Sequence, residues 1–439
     1  MLEYLKKWAE TQPEKFFIND LTFRKVLIEA INRSNYLVSI SDERVALLMN
    51  NNEESLLTLL GLLLLSKEVL LLNPALTQRE ISDQTEGLKI NVVIQPKTLF
   101  SDFTLKTKIS SKLTFETNNQ KIAVLMNTSA TSGKFKTVPI TWGMIEAQCR
   151  ASAKVFGVNP NDNWLDVLPL FHVSGLSIVM RSLYNGTQLT LTDYAEDVVI
   201  DLVKSEKLTM MSLVPTQLKS LVDHLKPYNL RMILLGGETI PLSLVEKAIS
   251  KGLPVYKTYG MTETFSQSVT FNVIKEPQKI ATVGHALPDV TIEIEHPDKQ
   301  GIGEIWIKSP MLMKGYLGQI PLENGFATGD LGYLDEDNYL YVLNRRRDII
   351  ISGGENIYPK EIEDLLYRLP EIFECALVPR DDPKWGQIPI LYYVGELNEI
   401  DIRNYLSDKL AKFKQPKIFI QLGELPKNPS GKILRKDLN

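Results

Sequence analysis

Cysteine and histidine are scarce in this chain. Two cysteines occur in 439 residues, Cys149 and Cys375, far apart and in no C-x-x-C pair. That excludes a disulfide framework and a thiolate zinc site. The four histidines, His172, His224, His285 and His296, do not cluster, so a histidine-rich metal centre is excluded as well. Neither sign of charge dominates: 49 Lys and Arg against 53 Asp and Glu give a net charge of −4, which argues against a dominant nucleic-acid surface. There is no long uninterrupted apolar run. The most apolar region, Leu56 to Leu72, is broken by Ser66-Lys67-Glu68 and falls short of a bilayer span. It reads as a buried helix (Leu56–Leu65) followed by a strand (Val69–Leu72), so no membrane insertion is expected. The opening Met1-Leu2-Glu3-Tyr4-Leu5-Lys6-Lys7-Trp8 reads as an amphipathic helix without the apolar centre of a signal peptide, which predicts a cytoplasmic location. Repeats and low-complexity tracts are absent too.

What is present is the composition of a globular protein, 44% hydrophobic and 23% charged, with a length that predicts two or three domains. Short apolar strands (Val45–Met49, Val92–Gln95, Ala123–Met126, Trp164–Leu168, Gln188–Leu191, Met210–Val214, Met232–Leu235, Val255–Thr258) alternate with helical stretches (Thr141–Val155, Ser174–Tyr184, Val198–Ser205, Thr216–Leu225, Leu242–Ser250). That alternation predicts an α/β fold of parallel sheets covered by helices. From about residue 285 to 343 the pattern turns all-strand, which predicts a small β-barrel subdomain. The expected division is a large domain over residues 1–344, a hinge near 344–348 and a small mobile α+β domain over 345–439.

Five segments carry chemistry. Lys432 sits in Pro429-Ser430-Gly431-Lys432-Ile433, a turn near the end that presents one mobile point charge suited to a phosphate or carboxylate. Alone, it would be a solvated tail lysine. Upstream, Thr128-Ser129-Ala130-Thr131-Ser132-Gly133-Lys134-Phe135-Lys136 follows an apolar strand, where turn amides, hydroxyls and lysines make a polyphosphate cradle. Such clusters are more often ordinary surface loops, and the Walker spacing G-x-x-x-x-G-K-[ST] is absent. Tyr259-Gly260-Met261-Thr262-Glu263 offers a ring for a base, a hydroxyl for a phosphate oxygen and a carboxylate for Mg²⁺; otherwise it is a strand-end turn. Thr328-Gly329-Asp330 places a carboxylate after a turn, suited to the two hydroxyls of a ribose. Arg345-Arg346-Arg347-Asp348 and the strand that ends in Gly353-Gly354-Glu355 suggest a basic linker before a close backbone approach.

In this order the five resemble the acyl-adenylate-forming superfamily of acyl- and aryl-CoA ligases, luciferases and adenylation domains, over about residues 120–439. Asn163 to Leu176, Tyr259 to Gln267 and Ser352 to Pro359 bring the chain nearest to its acid–CoA ligases, in particular those for an aromatic acid with a second carboxylate. The resemblance implies ATP, Mg²⁺ and coenzyme A. It assigns Thr128, Ser129, Thr131, Ser132, Gly133, Lys134 and Lys136 to the β- and γ-phosphates, Thr262 to the α-phosphate and Glu263 to Mg²⁺. It assigns Gly236, Gly237, Glu238, Tyr259 and Gly260 to the adenine side, Asp330 and Arg345 to ribose and phosphate, and Lys432 to the charge that develops in adenylation. Gly353 and Gly354 would line a pantetheine tunnel, and His172 would border the acyl pocket and the thiol path. Ser266 and Gln267 are candidates for the substrate's second carboxylate.

The chain departs from the family at Ala130, Phe135 and Thr137, which replace Gly, Pro and Gly in the phosphate loop, and at Arg347, where many members carry Asp. The expected activity is AMP-forming acid–CoA ligation. The alternatives are a ligase for another aryl or fatty acid, an enzyme loading a carrier protein, and a weakly catalytic nucleotide-binding paralogue. Monomer and homo-oligomer both stay open.

Overall fold

The computed structural model describes residues 1–96, 113–129, 135–345, 348–352, 355–428 and 431–438, and of Ser129, Asn344, Arg345 and Asn356 the backbone alone. Two sheets organise the large domain. The first has five strands in the order Val93–Ile94, Arg44–Leu48, Glu68–Leu72, Ile122–Ser129 and Phe135–Thr141, parallel except for the last. The second has nine. Its parallel middle runs Val255–Met261, Met232–Leu235, Met210–Leu213, Asn163–Asp166, Gln188–Leu191 and Phe16–Ile18, with antiparallel strands at both ends. The three strands Met232–Leu235, Met210–Leu213 and Asn163–Asp166 are buried at every residue, and Met232–Leu235 is apolar throughout, because helices cover both faces of a parallel sheet.

The apolar stretch after residue 53 is the helix Glu53–Leu64, with every residue from Ser55 to Leu64 buried, followed by the strand Glu68–Leu72. It starts at Asn52, whose side chain accepts from the Ser55 amide at 2.9 Å, with Glu53 and Glu54 in the first turn beside the positive end of the helix dipole. A helix that is apolar all round needs neighbours on all sides, and here protein supplies them.

The strands expected to form a barrel make an open antiparallel meander instead: Thr291–Glu295, Gly303–Lys308, Phe326–Leu334 and Leu340–Arg345, each paired with the next. Among the described residues its far strands do not pair, so the sheet keeps two edges. The small domain that follows has its own sheet, in which Ile350–Ser352, Gly386–Gly395 and Ile372–Asp382 pair antiparallel and Ile418–Gln421 adds parallel to Gly386–Gly395. It also has its own core, including Ile350, Ile362, Leu366, Leu377 and Leu391.

The small domain's last residues are pinned by a buried ion pair. Arg435 donates from both guanidinium nitrogens to Glu363, at 2.7 Å each, and to the Leu377 carbonyl at 2.8 Å. Glu363 is 2% exposed; burial pulls Arg435 down, but the charge and hydrogen bonds of Glu363, with Asp348 and Cys375, together hold it above its ordinary value. A bidentate, fully partnered pair of this kind fixes geometry.

Candidate active site

The site is assembled where the second sheet runs out against the meander and the small domain. The strand Val255–Met261 turns back into Ser266–Asn272 within a few residues. Gly260 permits this: a Cβ there would lie 1.7 Å from the Ser266 carbonyl oxygen. The turn closes with Phe265 and Ser266 at φ 47° and 89°, a left-handed region that side chains disfavour. Strain of this kind persists at functional turns, where the surrounding structure holds it.

Three groups of side chains meet around that turn. On one side, Glu263 accepts from the Tyr316 hydroxyl at 2.7 Å, and the Lys136 ammonium lies 4.9 Å from the centre of the Tyr316 ring. A carboxylate and a lysine held by one tyrosine suit a metal–phosphate group. The donor set is hard oxygen and therefore fits Mg²⁺, which takes few protein carboxylates and shares substrate phosphates. Among the described residues no three metal-ligating side chains cluster. Thr128 donates to the Lys136 carbonyl at 3.2 Å, and Thr137 donates to Asn127 at 2.6 Å, so the two arms of the phosphate loop are tied below its tip. Thr137, in place of the family's glycine, thus has a structural use. The tip residues Thr131, Ser132, Gly133 and Lys134 lie outside the described residues, as do Ala130, Arg347, Gly353 and Gly354, while Ser129 is described by its backbone alone.

On a second side, the Tyr259 hydroxyl donates to Asp330 at 2.7 Å, and Asp330 is 6% exposed. Strand pairing sets Asp330 opposite Arg345, so these three predicted residues converge through backbone register.

The third side was only half visible in the sequence. Ser266 lies 3.5 Å from an Arg181 guanidinium nitrogen, and Arg181 also donates to Gln148 at 3.0 Å and covers the Trp164 ring. Arg181 is 1% exposed; burial pulls its guanidinium down to about 10, so it stays charged at neutral pH. Asp166, fully buried nearby, is pushed well above the usual carboxylate range by burial, which outweighs the Leu168 amide and Arg181. Gln267 is 1% exposed, and among the described residues neither polar atom of its amide has a partner; the Gln148 amide nitrogen has none either. Buried polar atoms without partners are rare and mark a place for a polar ligand. Arg181 was missed, although a signal existed: it is the one charge in the stretch Leu176-Ser177-Ile178-Val179-Met180-Arg181 and directly follows three apolar residues. Gln148 and Tyr316 carried no signal of this kind.

His172 caps the helix Val173–Asn185, its ring 4.6 Å from that of Phe171. Burial lowers it to about 4, so it is neutral across the physiological range.

Lys432 comes from the small domain. Its hairpin is closed by Gly431 to Asn428 and Asn428 to Lys432 backbone bonds of 2.9 Å each, with a bridge between Lys427 and Ile433. Gly431 has φ 90°, and a Cβ there would lie 3.0 Å from Thr216 Oγ1 and 3.5 Å from Glu238 Oε1. The lysine hairpin therefore sits against the large domain, on the loop that holds Gly236, Gly237 and Glu238. Burial pushes Glu238 up to about 7, against the pull of Lys432 and then Lys427, with Glu374 adding to the rise.

The family model of the AMP-binding enzymes matches residues 5–317. The chain belongs to the AMP-binding enzymes. The C-terminal domain of this family matches residues 361–432. Among curated proteins, the 2-succinylbenzoate–CoA ligase of Lactococcus lactis subsp. lactis (strain IL1403) is 54% identical over 449 aligned residues, covering 100% of each chain. Among solved structures, the o-succinylbenzoate CoA synthetase (MenE) of Bacillus subtilis in complex with the acyl-adenylate intermediate OSB-AMP superposes with a TM-score of 0.92 at 33% identity, over 99% of this chain and 97% of that one. The same enzyme in complex with ATP and magnesium ion gives 0.89 at 33% identity, over 99% and 98%. In this AMP-binding enzyme the predicted mixed α/β architecture, with parallel sheets and a small C-terminal domain, is present.

Proposed function

We infer that this AMP-binding enzyme is a 2-succinylbenzoate–CoA ligase of menaquinone biosynthesis. With ATP it converts o-succinylbenzoate to the acyl-adenylate and pyrophosphate, then transfers the acyl group to CoA with release of AMP. The observation that carries the substrate is the buried Arg181 beside Ser266, next to the turn that carries Thr262 and Glu263. An aromatic diacid presents one carboxylate to the nucleotide and leaves the other to be neutralised inside the protein. A monoacid or a fatty acid would leave a buried guanidinium without an anion, which is costly. Full-length identity of 54% to a ligase of that name supports the same reading.

The chemistry follows from charge. A carboxylate oxygen attacks the α-phosphorus, the bond to the β-phosphate oxygen breaks, and pyrophosphate leaves. Two anions must approach, so cations have to come first. Lys136 stands at the β- and γ-phosphates, Thr262 at the α-phosphate, and Lys432 answers the charge that builds between acid and nucleotide. Glu263 would hold Mg²⁺, which supplies charge neutralisation on the phosphate oxygens. Asp330, oriented by Tyr259, accepts from the ribose. In the second step the CoA sulfur attacks the acyl carbon and AMP leaves. His172, neutral at working pH, borders that path and presents a polar edge without a charge to desolvate. Gly353 and Gly354 are assigned to the pantetheine approach by the family resemblance alone.

Among the described residues no helix is long and apolar enough to cross a membrane. We place the enzyme in the cytoplasm, where ATP and CoA are available. The deciding experiment is a panel of acids with ATP and CoA, scored by AMP release and thioester mass. o-Succinylbenzoate is expected to be turned over far faster than benzoate, cinnamate or a fatty acid. Efficient turnover of monoacids with the diacid inert would remove the substrate assignment and leave the ligase chemistry. Thioester formed on a carrier protein and none on free CoA would identify a different acceptor.

A further inference from the structure

Of the departures from the family's phosphate loop, Phe135 and Thr137 lie among the described residues. Phe135 is half exposed, whereas Thr137 is 7% exposed and engages its neighbours through both its hydroxyl and its carbonyl. On the strand Phe135–Thr141 it stands directly opposite Asn127 of the strand Ile122–Ser129. Its hydroxyl donates to Asn127 Oδ1 at 2.6 Å. The Asn127 amide nitrogen donates in turn to Gln84 Oε1 at 3.1 Å, on the helix Gln78–Thr85. Asn127 thus uses its acceptor end and its donor end at once, which fixes the orientation of its amide. The Thr137 carbonyl accepts from the Leu317 amide at 2.9 Å. Leu317 packs on the apolar cluster that includes Ile81 of that helix and Leu125 of the strand Ile122–Ser129. The residue before Leu317 is Tyr316, whose hydroxyl donates to Glu263 at 2.7 Å and whose ring centre lies 4.9 Å from the Lys136 ammonium. The residue before Thr137 is Lys136 itself. One threonine therefore joins the arm that carries the lysine to the segment that holds the carboxylate.

We propose that Thr137 is a positioning residue for the ATP half of the reaction, holding Lys136 and Glu263 in register across the metal–phosphate group. The hydroxyl fixes the arm of the loop against Asn127, and the carbonyl fixes Tyr316 and Leu317 against that arm. A glycine at this position would keep the carbonyl bond and lose the tether, so the residue typical of the family would serve this chain worse than its threonine. Charges aimed at a transferring phosphate contribute only when they are placed accurately before the reaction begins. The tether therefore matters while the triphosphate is bound. It has no part in the second half-reaction, because an acyl-adenylate has neither a β- nor a γ-phosphate. This rests on the reading of Lys136 and Glu263 as phosphate and magnesium groups, and the test separates the two.

The experiment measures each half-reaction by itself: acid-dependent exchange of pyrophosphate into ATP, and thioester formation from supplied o-succinylbenzoyl-adenylate and CoA. The native enzyme is compared with Thr137→Val, Thr137→Ser, Thr137→Gly, Asn127→Ala, the double variant Thr137→Val with Asn127→Ala, and Lys136→Ala. Valine keeps the branched shape and removes the donor. In exchange, Thr137→Val is expected to raise KM for ATP by about three- to tenfold, the size of one hydrogen bond, and to weaken the magnesium response in parallel. KM for the acid should stay within about twofold. Thioester formation by the same preparation should be unchanged, which also shows that the variant is folded. Thr137→Ser should restore native behaviour, and Thr137→Gly should resemble Thr137→Val. Asn127→Ala should act in the same direction, and the double variant should cost little more than either change alone. Thr137→Gly with native KM for ATP and native magnesium response would overturn the proposal. So would equal loss of both half-reactions in Thr137→Val, or full additivity with Asn127→Ala. Lys136→Ala with exchange and KM for ATP intact would overturn the reading of Lys136 and the proposal with it. Exchange impaired in Lys136→Ala but native in Thr137→Val would remove Thr137 alone.

Discussion

At the scale of single residues, the sharpest consequence concerns Arg181. Its neighbours Gln148 and Ser266 hold the guanidinium, and the amide of Gln267, partnerless among the described residues, lies in the residue next to Ser266. Arg181→Met should therefore raise KM for o-succinylbenzoate sharply. The lost interaction is a charged hydrogen bond in a buried setting, worth about 1.5–3 kcal/mol. Ser266→Ala should raise KM by less, and neither change should alter KM for ATP. Steady-state kinetics with acid and ATP varied separately would show this, and equal effects on both substrates would contradict the assignment. The same scale holds the metal. Glu263→Gln keeps size and the Tyr316 hydrogen bond but removes the anion. A magnesium titration of the exchange reaction should show weaker apparent affinity and a lower rate. Tyr316→Phe should move in the same direction by less, since the carboxylate survives but loses its orientation. An unchanged titration in Glu263→Gln would place the metal elsewhere.

At the scale of elements, what matters is how the site's parts are held. The turn after Val255–Met261 works because Gly260 admits the Ser266 carbonyl and because Thr264 reaches the carbonyls of Met261 and Ser266 at 3.2 and 3.1 Å. Gly260→Ala should collapse this turn, giving a protein with lower Tm and no adenylation; thermal melts and pyrophosphate exchange measure both, and a fully active variant would show that the turn relaxes. The tail beyond Lys432 behaves likewise. Arg435→Met leaves Glu363, 2% exposed, without its bidentate partner, although the Leu377 amide still donates to it at 2.7 Å. Loss of one member of a buried pair typically costs about 3–5 kcal/mol. The small domain should therefore melt earlier than the large one, visible as a split transition by calorimetry. Both devices were invisible to sequence reading for one reason. Glycine 260 and arginine 435 act on partners six and 72 residues away, and pairing at such distances is set by the fold.

At the scale of the whole molecule, the two domains meet through charges as well as through the lysine hairpin. Lys257 is 2% exposed, on a strand of the large sheet, and donates to the Ile280 carbonyl at 2.6 Å. Burial lowers it to about 7, with Lys360 adding to the drop and Asp364 opposing it. Both of those residues lie on the small-domain helix Pro359–Leu366, and Lys360 donates across to the Val342 carbonyl of the meander at 3.0 Å. A lysine whose folded value is lowered binds fewer protons folded than unfolded. Its stability penalty is fully present below about pH 7 and fades as pH rises towards the unfolded value of 10.5. Lys257→Met should therefore raise Tm at pH 7, by about 2–4 °C if the net gain is near 1 kcal/mol, and by less at pH 10. A gain that is the same at both pH values would show that charge burial is not its source.

The sequence by itself determined the alternation of strands and helices and the family, which the turn Tyr259 to Glu263, the carboxylate Asp330 and Lys432 together identify. These are local patterns, in which a few consecutive residues specify turn, charge and hydroxyl together. It also determined that the apolar stretch before residue 72 would be buried in protein, since one charged pair cuts it short. Tertiary structure alone decided that the strands of the β-rich subdomain form an open meander, because closure depends on which edges meet and not on residue pattern. It alone decided that Arg181 meets both Gln148 and Ser266, since they lie on two helices and a strand that the fold packs together. And it alone placed Glu238 under the lysine hairpin, a contact between residues nearly two hundred positions apart that exists only while one domain rests on the other.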